Sequence, residues 1–229
     1  MAKVSNERLC NLAYEGDLVE LKAELLMADR SLAATADQAQ RTPLHWAASA
    51  GHWDVAVFLL SLGVPVDARD DMEWTPLHIA ASAGREAIVG ELLGHRAQVN
   101  ARNRTGQTAL HYAASRNHPE ILELLLVAGA DPDVGDSLRS TPVHRAAAQG
   151  HGACLQLLLQ HGASSNLQDG QGNTPLHLAC EEERSDGAQL LLKHGASVDI
   201  ANADGQTPLE VAPRGLAALL RRALAPVQT

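Results

Sequence analysis

The chain is poor in aromatic residues and cysteine, and it lacks any long hydrophobic run. Aromatics are 3% of its 229 residues. The three cysteines, Cys10, Cys154 and Cys180, contain no CxxC pair, which argues against a disulfide framework or a zinc cluster and predicts reduced, mostly packed thiols. No apolar stretch approaches the ~18 residues of a membrane span, and the opening residues lack the hydrophobic region of a signal peptide. We therefore expect a soluble protein, cytoplasmic and nuclear.

The charge balance is acidic. Lys and Arg number 18 against 27 Asp and Glu, so the formal net charge is −9. Duplex affinity comes mainly from neutralising phosphates with Lys and Arg, so this balance argues against a nucleic-acid binder. We expect protein partners, with no nucleic acid and no membrane. Since hydrophobic residues reach 45%, the core must be built from Ala, Leu and Val.

One repeat fills the chain. The tetrapeptide Thr42-Pro43-Leu44-His45 returns at Thr75, and 75 − 42 = 33. The same step relates six positions, Thr42, Thr75, Thr108, Thr141, Thr174 and Thr207, and a second column, Gly63, Arg96, Gly129, Gly162 and Gly195. A constant period means that each unit must stack on its neighbours to bury its apolar face. The segment 9–18 resembles a seventh unit without the Thr-Pro turn, so we expect no separate catalytic domain.

The motif T-P-L-H-x-A at this period, as in Thr75–Ala80, resembles the ankyrin repeat. The resemblance implies an all-α fold, an ankyrin-repeat solenoid of seven stacked helix-turn-helix repeats with β-hairpin-like fingers. Its parts are an N-terminal capping repeat at 1–37, five central repeats at 38–203 and a C-terminal capping repeat at 204–229. The residues favour the same elements, because Pro suits the first position of a helix and the preceding Thr its cap. Arg96 occupies a column of cap glycines, so we predict local strain there.

No residue is predicted to be catalytic, to bind a cofactor or to hold a metal. Five histidines occupy the same place in successive repeats, and a catalyst needs no five copies; they are His45, His78, His111, His144 and His177. Each is expected to satisfy a hydroxyl or backbone group of its own repeat. Without HExxH or zinc spacing, we expect a protein that is not an enzyme. Asn100 is either a turn residue at the finger base or a site of side-chain hydroxylation, as occurs in ankyrin proteins.

The binding surface is expected at positions that packing does not dictate, namely the finger tips and the residue after each T-P-L-H. Trp, Tyr and Arg dominate interface energetics, and these positions are rich in them. The predicted binding residues are Arg41, Trp46, Asp71, Trp74, Arg104, Tyr112, Arg116, Arg139 and Arg145. Asp70, Asp71 and Glu73 are expected to form an acidic part of this surface. Ordinary solvated charges are the alternative interpretation for any single arginine.

Leu178, Cys180 and Glu182 fit the pattern L-x-C-x-E, which retinoblastoma-type pocket proteins recognise as an extended peptide. Two interpretations stay open. The segment falls within the first helix of the sixth Thr-Pro unit, and Cys180 aligns with a packing alanine of the other repeats. The favoured interpretation is therefore a core cysteine.

Four stretches carry a closer resemblance, to seven-repeat ankyrin chaperones of the proteasome regulatory particle: 10–14, Arg41-Thr42 with His45-Trp46-Ala47, 74–85 and 173–180. The resemblance implies a monomer that binds the C-terminal domain of one ATPase subunit, with Arg41, Trp46, Asp71, Trp74 and Arg116 as contact residues. The sequence departs from that group at Ala39, Pro43 and Glu73. An ankyrin adaptor of cyclin-dependent kinases or of pocket proteins, unrelated to the proteasome, is the alternative.

Overall fold

The computed structural model describes residues 5–27 and 29–224. Within these ranges the chain forms fourteen α-helices and one 3₁₀ helix, with no strand. The helices come in seven pairs: α1 Asn6–Glu15 and α2 Leu18–Met27, α3 Pro43–Ala50 and α4 Trp53–Ser61, α5 Pro76–Ser82 and α6 Glu86–Gly94, α7 Ala109–Arg116 and α8 Pro119–Val127, α9 Pro142–Gln149 and α10 Gly152–Gln160, α11 Pro175–Glu181 and α12 Ser185–Lys193, α13 Pro208–Val211 and α14 Arg214–Leu224. The 3₁₀ helix, Arg30–Ala34, follows α2. The outer ends of the predicted capping repeats, 1–4 and 225–229, lie outside the described residues.

The described chain divides into two compact units. The first contains the residues up to Ala109 with Val127–Gly129, and the second contains Leu110–Leu126 and the residues from Ala130 onward. In the first unit α1 packs on α3, α3 on α5, and α4 on α6. In the second unit α9 packs on α11, α11 on α13, α10 on α12, and α12 on α14. First helices therefore contact first helices, and second helices contact second helices, as stacking of repeats requires.

Small side chains line the contacts between first helices. Ala47 and Ala48 of α3 and Ala80 and Ala81 of α5 are completely buried, so the helices approach closely. The largest buried side chains are almost all leucines. A core built from Ala and Leu is confirmed.

Proline and threonine set the start of the first helices. Five of them, α3, α5, α9, α11 and α13, begin at Pro in the first turn, where the missing N–H costs no hydrogen bond. The preceding Thr is extended, and the side chain three residues later, His in α3, α5, α9 and α11 and Glu in α13, completes the cap. At α3 the backbone N–H of Thr42 donates to Nδ1 of His45 at 3.1 Å. Nδ1 is therefore the unprotonated nitrogen of this ring.

The other ring nitrogen reaches the next repeat. Nε2 of His45 lies 3.1 Å from the carbonyl oxygen of Trp74, and a carbonyl only accepts, so Nε2 carries the proton. The same bond, at 3.0 Å, joins His78 to Gln107, His111 to Ser140, His144 to Asn173 and His177 to Gln206. The structural role predicted for this column is confirmed, with the difference that each histidine binds two repeats and not one.

Burial favours the neutral form of four of these histidines. It lowers the pKa of His45, His144 and His177, and the pKa of His78 falls to about 4, while the bond to the carbonyl offsets part of the shift. In the last repeat Glu210 replaces histidine. Its Oε2 accepts the N–H of Thr207 at 2.8 Å and the hydroxyl at 2.9 Å, and these bonds lower the pKa of Glu210.

Asp and Asn residues at one position of the repeat stabilise the hairpin turns that form the fingers. The members of this column are spaced by 33 residues: Asp37, Asp70, Asn103, Asp136, Asp169 and Asn202. In each, Oδ1 accepts the backbone N–H groups two and four residues later. The N–H of Asp70 donates to the carbonyl of Trp74 at 2.9 Å, which closes the hairpin turn. The sequence analysis missed this column, although its period marks it.

Arg96 lies in the left-handed region, with φ of +63°, where the equivalent glycines have φ between +76° and +90°. The predicted strain is confirmed. Replacing Arg96 by Gly is expected to raise the free energy of unfolding by about 0.5–1 kcal/mol, because glycine adopts this conformation without a steric penalty. Urea unfolding followed by circular dichroism measures it. Gly162→Arg is the reciprocal control and should lower stability by a similar amount, since a Cβ at Gly162 meets no atom within 4 Å. Unchanged midpoints in both variants would contradict the argument.

No helix within residues 5–27 and 29–224 is long and apolar enough to cross a membrane. The three cysteines are free and buried, as predicted. Burial raises the pKa of Cys10 and Cys180 to about 12 and that of Cys154 to about 11, so none is a thiolate near neutral pH.

Candidate protein-binding surface

The aromatic side chains all lie at the surface. Tyr14 and Trp53 are exposed, and the other four are half-buried: Trp46, Phe58, Trp74 and Tyr112. Single apolar side chains at a surface are common, but Trp and Tyr are residue types enriched at protein interfaces. Because the core is filled by Leu and Ala, these six rings are available for contact with another molecule.

In the first unit Arg41 and Trp46 form the centre of a bonded group, which we call the Arg41 cluster (Tyr14, Asp37, Arg41, Trp46 and Asp70). Nε of Arg41 lies 3.1 Å from Oδ2 of Asp70. The guanidinium carbon of Arg41 lies 5.3 Å from the Trp46 ring centroid, within reach of a cation–π interaction. The indole N–H of Trp46 donates to Oδ2 of Asp37 at 2.8 Å, and the Tyr14 ring meets Trp46 edge-on at 5.7 Å.

These contacts hold two interface-type side chains in place before any partner arrives. The side chain of Asp70 is 0% exposed and that of Arg41 is 34% exposed, so a buried carboxylate fixes a guanidinium that still faces solvent. Ordering a flexible side chain on binding costs about 0.5–1.5 kcal/mol, and here that cost is met on folding. The Arg41 cluster therefore holds a partly exposed guanidinium and a partly exposed indole in fixed positions.

The neighbouring fingers carry Asp71, Trp74 and Arg104. The Trp74 ring lies 6.0 Å from the ring of His78, and its backbone N–H donates to Oδ1 of Asp70 at 2.8 Å. Asp71 is exposed, and its N–H donates to the carbonyl of Ala39 at 3.0 Å. Arg104 is exposed, and its guanidinium lies 4.0 Å from the sulfur of Met72.

Backbone hydrogen bonds join successive fingers within each unit. In the first unit Asp71 donates to Ala39 and Arg104 donates to Met72, both at 3.0 Å. In the second unit Gly170 donates to Leu138 at 2.7 Å. The predicted contact residues Asp71, Arg104 and Arg139 thus lie on fingers that support one another, whereas Trp46, Tyr112, Arg116 and Arg145 lie on first helices.

One expectation about charge is wrong. Asp70 was expected to add to an exposed acidic surface with Asp71 and Glu73, but Asp70 is buried, where it accepts from Arg41 and from its own finger. Glu73 is exposed and pairs with Arg69 at 3.2 Å. The exposed acidic group is therefore smaller than the sequence suggests.

The second unit presents Tyr112, Arg116, Arg139 and Arg145. Arg145 forms an ion pair with Asp136, whose side chain is almost completely buried. Burial alone would raise the pKa of Asp136, but the hydrogen bond from Arg145 and the backbone N–H groups of its finger outweigh burial and lower it. Nε of Arg145 is buried and has no hydrogen-bond partner among the described residues.

The remaining predicted residues of this unit are more open. Arg139 is exposed on the finger that follows Asp136, with φ of +59°, at a position where three other repeats have glycine. Arg116 is exposed in the last turn of α7, and Tyr112, in the same helix, is half-buried. All four predicted residues of the second unit therefore expose part of their side chains to solvent.

The finger carboxylates also orient the residue after each histidine. Trp46 and Arg145 share this position, and each donates to Oδ2 of the Asp nine residues earlier, Asp37 or Asp136. Ile79 cannot donate at this position, and there Arg41 of the preceding finger supplies the donor to Asp70. An Asp nine residues before a donor side chain is the signal that the sequence analysis overlooked.

The L-x-C-x-E segment is helical. Leu178 and Cys180 lie in α11 and Glu182 is its C-cap. Cys180 is completely buried, Leu178 is half-buried, and Glu182 is exposed. An extended-peptide mode of binding therefore requires α11 to unfold, which is costly in a packed repeat. The favoured interpretation of Cys180, as a core residue, is confirmed.

Among the described residues no group of three or more His, Cys, Asp and Glu side chains is placed to hold a metal ion. The chemistry that the surface offers is that of recognition by aromatic rings, guanidinium groups and carboxylates.

Comparison with known protein families and proteins identifies the repeats. A family described as ankyrin repeats (3 copies) matches residues 59–136, 110–202 and 143–219, and one described as ankyrin repeats (many copies) matches 29–85. The 26S proteasome non-ATPase regulatory subunit 10 of Homo sapiens is 60% identical over 68 residues, which is 30% of this chain and 30% of that protein. The Mus musculus protein is also 60% identical over 68 residues, 30% of this chain and 29% of that protein. The aligned segment thus spans less than a third of these relatives.

Two solved structures resemble the whole described fold. The ankyrin repeat domain of Bcl-3, described as a unique member of the IkappaB protein family, has a TM-score of 0.84 at 28% identity and covers 96% of this chain and 100% of that one. The human ASB11 ankyrin repeat domain has a TM-score of 0.82 at 27% identity and covers 95% of this chain and 98% of that one. The predicted fold class is confirmed.

Proposed function

Since the chain belongs to the ankyrin-repeat family, we propose that it is a non-catalytic protein-binding scaffold that acts as an assembly chaperone of the proteasome regulatory particle. It holds the C-terminal domain of one ATPase subunit. The support is its 60% identity, over 68 residues, to 26S proteasome non-ATPase regulatory subunit 10, also called gankyrin. The observation that carries the proposal is the Arg41 cluster, which fixes an arginine and a tryptophan at the surface.

The contact residues in this proposal are those of the finger surface in each unit. In the first unit they are Arg41, Trp46, Asp71, Trp74 and Arg104, and in the second Tyr112, Arg116, Arg139 and Arg145. The rings and guanidinium groups supply most of the affinity, while the exposed charges set orientation and association rate. The chain acts as a monomer in cytoplasm and nucleus, with capping repeats at 1–37 and 204–229 around five central repeats at 38–203.

Replacing Arg41 and Trp74 together by Ala is expected to weaken capture of the ATPase C-terminal domain by about 100-fold or more, because each is of a residue type whose loss at a hot spot costs ~2 kcal/mol. Calorimetric titration of the full chain with each recombinant ATPase C-terminal domain in turn measures the affinity. A thermal melt of the variant shows that it is folded.

The matched control changes one tryptophan and one arginine that lie off the finger surface. Trp53 begins α4 and Arg96 follows α6, and both are exposed. Trp53→Ala with Arg96→Ala is expected to bind with the affinity of the unmodified chain. Full-strength capture by Arg41→Ala with Trp74→Ala, or failure of every ATPase domain to bind the unmodified chain, would overturn the proposal.

Pocket proteins and cyclin-dependent kinases are the alternative partners. Recognition of Leu178, Cys180 and Glu182 as a ligand stays a prediction, and the burial of Cys180 disfavours it for the folded chain. A pocket protein that binds the unmodified chain but not Glu182→Lys, with unchanged melting temperature, would support that alternative.

A further inference from the structure

Phe58 is the only phenylalanine of the chain, and it belongs neither to the buried core nor to the finger surface. It lies on α4, half-buried, with its ring 5.1 Å from Nζ of Lys22 on α2. Other second helices pack directly on one another, namely α4 on α6, α10 on α12 and α12 on α14. Between α2 and α4 the structure instead has a groove.

The groove has a volume of about 300 Å³. Its apolar lining consists of Leu25, Leu26, Phe58 and Leu62. Leu26 is 69% exposed, and the adjacent Met27 is 78% exposed. Apolar side chains left open beside a concave space are typical of a site that another protein covers. The volume lies at the lower limit of ligand pockets, so it accommodates one or two apolar side chains.

Two cations border the groove. Lys22 and Arg30 belong to its lining and are exposed, and neither forms an ion pair with any residue that the structure describes. The chain as a whole carries a formal charge of −9, so an apolar groove bordered only by positive charge is a local exception. None of the described residues that line the groove is an Asp or a Glu. The charge that complements it is negative.

We propose that this groove is a second docking surface, which takes an amphipathic helical segment of a partner protein. The segment inserts one or two Leu- or Phe-like side chains against Phe58 and Leu26 and places carboxylates beside Lys22 and Arg30. Helix binding suits the site because a groove between two helices receives the apolar face of a third, with anchors three or four residues apart. The surface is distinct from the finger surface and does not depend on the proteasomal role.

A displayed library of helical peptides tests the proposal without a known partner. Peptides of about 16 residues, randomised at all positions of one face, are panned against the full chain and counter-selected against its Phe58→Ala variant. The expected selected peptides combine apolar anchors at helical spacing with flanking Asp or Glu. A synthetic copy of the best peptide is expected to lose at least about 10-fold in affinity for Lys22→Glu with Arg30→Glu, since both opposite charges become like charges.

The controls separate this surface from other effects. Phe58→Ala can loosen α4. Lys22 and Arg30 are exposed, and their change gives up the contact of the Lys22 ammonium group with the Phe58 ring, so the double charge variant decides the test if the alanine variant unfolds. Lys193→Glu with Arg96→Glu makes the same change in net charge outside the groove and should leave binding unchanged. Arg41→Ala with Trp74→Ala should also leave it unchanged, which distinguishes a failure here from a failure of the proposed function.

Three outcomes would overturn the proposal. The first is a selection that yields no peptide dependent on Phe58. The second is a set of selected peptides without acidic residues, or whose affinity is unaffected by Lys22→Glu with Arg30→Glu. The third is Phe58-dependent self-association in sedimentation experiments, which would make a second copy of this chain the occupant of the groove.

Discussion

Acidification from neutral pH to about pH 4 is expected to remove several kcal/mol from the free energy of unfolding, because in this range the buried histidines stay neutral in the folded state while those of the unfolded chain bind protons. The folded pKa of His78 is about 4 against 6.5 for a free histidine. Below about pH 6.5 the unfolded chain binds protons that the folded chain cannot, so stability is complete above that pH and is lost as the pH falls toward the folded pKa. At about 1.4 kcal/mol per pKa unit, His78 alone contributes about 3 kcal/mol of this loss.

His45, His144 and His177 add to the same effect, since burial lowers the pKa of each. Protonation of the ring would also place a hydrogen on Nδ1, where the Thr N–H already donates. Urea unfolding followed by circular dichroism, at a series of pH values between about 7 and 4, measures the loss.

A matched pair of variants checks that the buried column causes the pH dependence. His78→Gln is expected to reduce the slope of stability against pH in this range, although it lowers stability at pH 7. His161→Gln changes a histidine that is exposed, and the slope should stay that of the unmodified chain. Equal slopes in all three proteins would show that the histidine column does not control acid unfolding.

Asp70→Ala is expected to lower the free energy of unfolding by about 2–4 kcal/mol, because it removes the acceptor of two backbone N–H groups and the partner of Arg41. Arg41 is one-third exposed, so solvent screens the ion pair and the pair supplies only about 1 kcal/mol of the total. Asp70→Asn keeps Oδ1 as an acceptor, as Asn103 and Asn202 do in the same column, and should cost about 1 kcal/mol. Chemical unfolding at neutral pH measures both variants.

Asp169→Ala is the matched control for Asp70→Ala. Asp169 accepts the same two backbone N–H groups, from Gln171 and Asn173, but forms no ion pair with any described residue. Because Asp70 is buried and Asp169 is only half-buried, the difference between the two alanine variants gives an upper limit for the contribution of Arg41. Equal losses would mean that the pair adds nothing, and Arg41 would then not be preorganised by Asp70.

Local features of the fold could be predicted from the sequence. Pro43 and its equivalents start helices because proline fits the first turn whatever surrounds it, and Arg96 was predicted to be strained because the cap conformation is a property of a single residue. The alanine columns were predictable for the same reason, since one small side chain at each repeat is visible in the period.

Features that join distant residues could not be predicted. The burial of Asp70 depends on Arg41, which lies 29 residues earlier, and the second nitrogen of His45 binds a carbonyl 29 residues later. The presence of an aspartate or a histidine does not by itself indicate which distant residue it binds. An aspartate in a turn is more often solvated. Phe58 was overlooked because it interrupts no motif, and only the spacing of α2 and α4 shows that a groove lies beside it.

The candidate binding surface lies between these two cases. Trp46, Trp74 and Tyr112 were identified because the period shows which positions packing leaves free, and their partial exposure agrees with that interpretation. The carboxylates of Asp37 and Asp136 that orient Trp46 and Arg145 were missed, since the sequence analysis compared equivalent positions and not positions nine residues apart.

The hydrogen bond from each histidine to the following finger also makes each 33-residue block an interchangeable unit. His45 pairs with the carbonyl of Trp74, and His78 with that of Gln107, at the same separation of 29 residues. Excision of one whole block therefore brings an equivalent donor and acceptor to the new junction, while excision of a length that is not a multiple of 33 residues leaves a buried imidazole without its carbonyl. Genetic duplication and loss of such blocks can change the number of contact positions while every remaining junction keeps its chemistry.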